Sequence, residues 1–253
     1  MTAILVLCAL DFELAPFAAA IPPEGALGVP GLDGWRGALD GASVAMARIG
    51  VGKVNAAMAT ALALAAIGPR AVICCGVAGG VAAGVAPGDV IIADRLVQHD
   101  YGRWYTDGFA LFAPLRYAAT ARHPPHFAAD PALLAAAQDS SALLAAVPGW
   151  EDRPPQIRTG CIATGDLFVV SRAKKAEIAA QTGALALEME SAAVAQVCAE
   201  LAVPLLAIRA ISDVDDDLHQ IPESAGAIAA SNAASVAIAT IRAILAPPPS
   251  AAP

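Results

Sequence analysis

Apolar residues in this chain come in short runs punctuated by glycine, proline and acids. The first, residues 3–10 (AILVLCAL), stops at Asp11-Phe12-Glu13 and predicts a buried strand followed by a loop. Runs at 35–39 and 42–49 flank Asp40-Gly41, a strong hairpin signal. Residues 53–67 carry apolar positions at helical spacing and end at Gly68-Pro69, a good stop. Strands are predicted over 71–75 and 89–94, the first opening into a glycine-rich turn, Gly76-Val77-Ala78-Gly79-Gly80. Between 99 and 160 the pattern dissolves among seven prolines, which predicts long loops around one helix at 131–146. Strand character resumes at 160–164 and 167–170. Helices are predicted over 174–181, 190–201 and 223–245, and a last buried strand over 205–211 delivers Ser212 and Asp213. Strands that alternate with helices, several apolar throughout, imply a mixed central sheet covered on both faces. The expected fold is α/β, a single-domain three-layer sandwich over residues 1–246, followed by a disordered Pro/Ala-rich tail, 247–253.

Composition tempers one alarm in this pattern. The chain is 57% hydrophobic with a mean hydropathy of +0.61, yet about a quarter of its 253 residues are alanine. A spanning helix needs about 20 consecutive apolar residues, and the runs at 56–67 and 71–86 are broken by glycine, proline or charge. The N-terminus has no basic stretch or small-residue cleavage site, so no signal peptide is expected. A formal charge of -8 and a pI near 4.9 oppose binding to nucleic acid or to an anionic membrane. Five cysteines, Cys8, Cys74, Cys75, Cys161 and Cys198, show no zinc or CxxC spacing and suit buried thiols in a reducing cytoplasm.

Ligands of open α/β sheets gather where loops leave the strand ends. The residues there are Asp11 and Glu13, Gly76 to Gly80, His99-Asp100, Asp166 to Val169, Glu188-Met189-Glu190 and Ser212-Asp213. Acids recur among them, although acids after strands also serve as helix caps and solvated turns. GVAGG is neither GxGxxG nor a phosphate-binding P-loop, so no nucleotide cofactor is expected. His99, His123, His126 and His219 lack metal spacing, and Asp213, Asp215, Asp216 and Asp217 lack the calcium-loop pattern, so no metal is expected.

Taken together, Gly50-Val-Gly-Lys53-Val-Asn55, the GVAGG stretch, Pro87-Gly-Asp-Val90, His99-Asp100, Thr164-Gly-Asp166, Leu187-Glu-Met-Glu-Ser191 and Arg209-Ala-Ile-Ser-Asp213 resemble the nucleoside phosphorylase superfamily. Within it they resemble the 5′-methylthioadenosine/S-adenosylhomocysteine nucleosidases, in family order over about residues 3–245. The resemblance implies a nucleoside phosphorylase-like fold, a purine nucleoside substrate, no cofactor and a homodimer. It implies Asp213 as the acid that protonates purine N7, held by Ser212, and Glu13 as the base that orients the attacking water. Arg209 would position the water or the carboxylates, or serve as an ion-pair partner for Glu188. Glu190 would grip the ribose hydroxyls and Met189 pack on the sugar. Phe168 would stack on the purine and the Val169 backbone read its edge, with Ala78, Gly79 and Glu188 completing the binding set.

Cleavage of an N-ribosidic bond suits two carboxyl groups that divide acid and base work. A carboxylate in the Asp11-Phe12-Glu13 stretch repels phosphate, which favours hydrolysis over phosphorolysis, although Arg48 is a candidate phosphate ligand. Two departures stand out. Val77 replaces a usual serine, and residues 99–116 are longer and more aromatic than is usual. From that region one subunit closes its partner's 5′ pocket in the family; Trp104, Tyr105 and Phe109 are the candidates here. A phosphate-dependent phosphorylase, a futalosine-type nucleosidase and a non-catalytic nucleoside-binding module remain alternatives.

Overall fold

The computed structural model describes residues 4–117, 119–139, 142–214 and 223–246. The tail 247–253, the acids Asp215 to Asp217 and His219 lie outside the described residues.

β1 (Ile4–Cys8) alternates strictly: Leu5 and Leu7 enter one core, Ile4, Val6 and Cys8 the other. The loop expected after it is instead two short helices, α1 (Asp11–Leu14) and α2 (Phe17–Ala20). The Glu13 carboxylate reaches back to the N–H groups of Ala9 and Leu10 at 2.8 and 2.9 Å, so unsatisfied donors at the helix start find a partner. β2 (Gly25–Ala26) leads into the expected hairpin of β3 (Gly34–Leu39) and β4 (Ala42–Arg48). Its turn residues Asp40 and Gly41 have φ of 50° and 84°, the positive values that a two-residue turn between right-twisted strands requires.

α3 (Lys53–Ile67) has the bounds expected of it. β5 (Ala71–Gly80) does not: the glycine-rich stretch continues the strand. The predicted turn is therefore corrected. Residues 76–79 pair with Arg209 to Asp213 of β12, and Gly79 and Gly80 with Leu187 and Ala186. β6 (Val90–Gln98) is longer than expected. The loops expected after residue 99 include a hairpin, β7 (Gly102–Tyr105) with β8 (Gly108–Leu111), which forms a separate two-stranded sheet. β9 (Phe127–Ala128) precedes α4 (Pro131–Gln138), a shorter helix than predicted. β10 (Ile157–Thr164) absorbs the run at 160–164, whereas 167–170 is a loop, not a strand. α5 (Arg172–Thr182), α6 (Ser191–Glu200), β12 (Leu205–Asp213) and α7 (Glu223–Leu245) follow the pattern closely. β11 (Ala184–Glu188) was missed: ALALE is made of helix formers, and becomes a strand because β10 and the end of β5 both pair with it.

β4, β1, β5 and β12 run parallel, in that spatial order; β12 is antiparallel to β6, which is parallel to β10, which is parallel to β11. β11 then meets Gly79 and Gly80 of β5 and closes a ring of five strands. α3 and α6 cover one face of this mixed sheet, and α1, α2, α4 and α7 the other, giving the expected three layers in one α/β domain. Residues Ser224–Leu245 are long and apolar enough to cross a membrane by length and composition, with mean hydropathy 1.6, but half of that window is buried against the fold. All five cysteines are buried and unpaired.

Candidate active site

The ends of β1, β5, β11 and β12 converge on one buried cluster. Glu13, delivered by α1 directly after β1, is 2% exposed. Its Oε2 accepts the N–H groups of Ala9 and Leu10, and its Oε1 accepts the N–H of Val77 at 2.8 Å. Three backbone donors thus fix the carboxylate against β5. The contact explains Gly76. A Cβ there would overlap Glu13 Oε1, with Glu13 Cδ at 2.7 Å and Arg209 Nη1 at 2.5 Å. It also shows what Val77 contributes: its backbone holds Glu13, with no hydroxyl involved.

Arg209, on β12, is 1% exposed and stands among three carboxylates. Its Nη2 lies 2.6 Å from Glu188 Oε2 and 3.3 Å from Glu190 Oε2, and its Nη1 lies 3.7 Å from Glu13 Oε1. Burial opposes its charge, but Glu188 and Glu190, with Cys74 and Glu13, more than offset that, and its pKa lies well above the ordinary value. Glu188 is saturated. Thr164 Oγ1 donates to its Oε1, while the N–H groups of Glu190 and Ser191 (3.0 and 2.8 Å) and Ser191 Oγ (2.9 Å) donate to its Oε2. Its oxygens hold Arg209 and the first turn of α6.

Glu190 is the N-cap residue of α6. Its Oε1 accepts the N–H of Gly52 at 3.0 Å. Burial raises its pKa to about 7, with Arg209 opposing and Glu188 reinforcing the rise. Three carboxylates share one guanidinium, and the like charge of Glu188 adds to the effect of burial in raising the Glu190 pKa.

Asp213 ends β12 beside Gly79, where an added Cβ would stand 3.2 Å from its Oδ1. Ser212 Oγ donates to Asp213 Oδ2 at 2.9 Å and also lies 3.3 Å from the Ala78 carbonyl. Lys175 Nζ lies 3.1 Å from Asp213 Oδ1. The structure therefore brings Glu13, Ala78, Gly79, Glu188, Glu190, Arg209, Ser212 and Asp213 together around β5 and its neighbours. Met189 is half-buried between the two glutamates, and Val169 half-buried against the core of β10 and β11. Phe168 is 69% exposed on the loop after β10.

Sequence reasoning missed Lys175, Thr164, Ser191 and the Gly52 N–H. Ser191 stood within the EMES motif and Thr164 before Gly165-Asp166, but nothing local marks Lys175, whose neighbour Lys174 is solvent-facing and pairs with Glu177. Arg48 pairs with Asp11 at 3.3 Å and with Asp33. Among the described residues, no group of three His, Cys, Asp or Glu side chains could hold a metal ion.

This ring of strands with charged groups at its mouth is an architecture with relatives. A model of the phosphorylase superfamily matches residues 3–242. The 5′-methylthioadenosine/S-adenosylhomocysteine nucleosidase of Anoxybacillus flavithermus is 36% identical over 212 residues, 83% of this chain and 85% of that protein. The nucleosidase of the same name from Mycobacterium bovis is 32% identical over 222 residues, 83% of this chain and 84% of that one. The structure of the S. pneumoniae nucleosidase with the transition-state inhibitor MT-ImmA matches with a TM-score of 0.80 at 31% identity, over 96% of this chain and 100% of that one. The chain belongs to the phosphorylase superfamily and, within it, to the family of 5′-methylthioadenosine/S-adenosylhomocysteine nucleosidases.

Proposed function

We propose that the protein hydrolyses the N-ribosidic bond of 5′-methylthioadenosine and S-adenosylhomocysteine and releases adenine. The observation that carries this reading is the placement of two carboxyl groups along one strand. Glu13 abuts Gly76 and Asp213 abuts Gly79, so the two carboxyl groups flank one short stretch of β5. An inverting hydrolysis divides acid and base work between two such groups. Asp213 gives its proton to purine N7 as the C1′–N9 bond breaks. Water attacks C1′ from the other side and passes a proton to Glu13. Glu190 accepts from the ribose hydroxyls, Met189 lies against the sugar, and Phe168 closes on the purine from its exposed loop, with the Val169 backbone at the base edge.

Hydrolysis is favoured over phosphorolysis by charge. The carboxylates of Asp11 and Glu13 stand where a phosphate dianion would need cations, and Arg48 is already engaged by Asp11 and Asp33. The decisive experiment follows adenine release by absorbance, with and without phosphate. Release from both substrates without phosphate is expected. No release from either, with inosine turned over only when phosphate is present, overturns the reading.

The working form is a homodimer in the cytoplasm. Val54, Met58 and Leu62 repeat every four residues on the outer face of α3 and remain exposed, as does Trp104 on the β7–β8 hairpin. Such a stripe suits burial against a second copy. The five free thiols suit a reducing compartment.

A further inference from the structure

We propose that Lys175 is a positioning residue for the acid, holding Asp213 in place and stabilising the negative charge it acquires when its proton leaves. This rests on Asp213 being the group that protonates the purine. α5 starts at Ser171, whose Oγ caps the Lys174 N–H. Consecutive lysines then diverge: Lys174 points to solvent, while Lys175 points inward and is 4% exposed. Lysine is almost never buried without a partner. Here, among the described residues, the one carboxylate within 4.0 Å of its ammonium is Asp213, at 3.1 Å from Oδ1. Ile178, buried one turn further on, already anchors α5 to the core, so packing alone gives no reason for a buried cation at position 175.

The chemistry does. As C1′–N9 breaks, the Asp213 O–H bond breaks, the N7–H bond forms, and the carboxyl group becomes a carboxylate. An ammonium already in place beside Oδ1 meets that charge without reorganisation. Ser212 holds the other oxygen, so the plane of the acid is set from both sides. Lys175 acts on the reaction through Asp213.

Leaving-group dependence separates this from a structural role. Adenine must be protonated to leave, whereas 4-nitrophenolate departs as an anion. With 5′-methylthioadenosine, Lys175→Met should lower kcat about 10²-fold, the loss expected for one preorganised donor. With 4-nitrophenyl 5-methylthioriboside, kcat should stay within about threefold of the parent protein, which also certifies that the variant is folded. Lys175→Arg should restore most of the adenine turnover. Asp213→Asn is run beside them. If Asp213→Asn loses adenine turnover and Lys175→Met does not, the Lys175 proposal fails alone. If Asp213→Asn keeps it, the acid assignment fails and this proposal with it. Equal losses on both substrates in Lys175→Met, or no rescue by arginine, overturn it as well.

Discussion

Gly76→Ala is the sharpest probe of the cluster. The backbone of Gly76 lies outside the left-handed region, so alanine meets no conformational strain and suits a strand better than glycine. Everything the substitution does comes from one methyl group. Its carbon would lie 2.7 Å from Glu13 Cδ and 2.5 Å from Arg209 Nη1, against an ordinary contact of 3.4 Å or more. Neither neighbour is free to retreat. Glu13 is tied to the N–H groups of Ala9, Leu10 and Val77, and Arg209 to Glu188 and Glu190. A displacement of about 1 Å of the base is the scale at which turnover falls about 10²-fold. Overpacking of this kind costs about 1–3 kcal/mol, and each kcal/mol lowers Tm by about 2–4 °C in a chain of this length. Adenine release under saturating 5′-methylthioadenosine and a thermal melt measure the two effects separately. A variant with parental kcat would refute the claim that the Glu13 position is set by its approach to β5.

Other predictions follow from the same geometry. Glu190 gives up its proton near pH 7, so KM for 5′-methylthioadenosine should rise as pH falls below 7, and Glu190→Gln should flatten that profile. Because the pKa is raised by folding, the folded protein binds the extra proton between the ordinary value of 4.5 and about 7, and stability should fall as pH rises through that window; urea melts at pH 5 and pH 8 should show a smaller difference in Glu190→Gln. Arg209→Met leaves three carboxylates without their cation and should cost about 3–5 kcal/mol, read by chemical denaturation. Met58→Glu should shift the protein to monomer in gel filtration if α3 forms the dimer face; an unchanged elution volume removes α3 from that interface.

The layout of the fold was legible wherever a run of one periodicity ended at a strong stop. α3 closes at Gly68-Pro69, the β3–β4 hairpin turns on Asp40-Gly41, and α7 carries a long alanine-rich pattern. It was illegible where pairing overrode propensity. The glycines of β5 become strand by pairing with β12 and β11, and the helix formers of β11 by pairing with β10 and β5; the β5–β11 contact joins residues about 100 positions apart that no local window contains. The acids of the site showed themselves as residues that follow apolar runs. Their partners did not. Lys175 sits in a polar helical stretch beside another lysine, and Thr164 gives no local sign that it donates to Glu188. Burial and direction distinguish these residues, and both are settled only by the packed structure.

The closure of β5 on β11 divides the molecule into parts that can vary at different rates. Glu13, Glu188, Glu190, Arg209 and Asp213 are all pinned to a closed ring, where a change at one strand is felt by every other. Among the described residues, the aromatic hairpin β7–β8 pairs only with itself and the loop bearing Phe168 has no strand partner. A library confined to residues 101–112 therefore alters the aromatic hairpin while the carboxylates pinned to the ring keep their places. Substitutions at residues 76–80 alter catalysis and folding together.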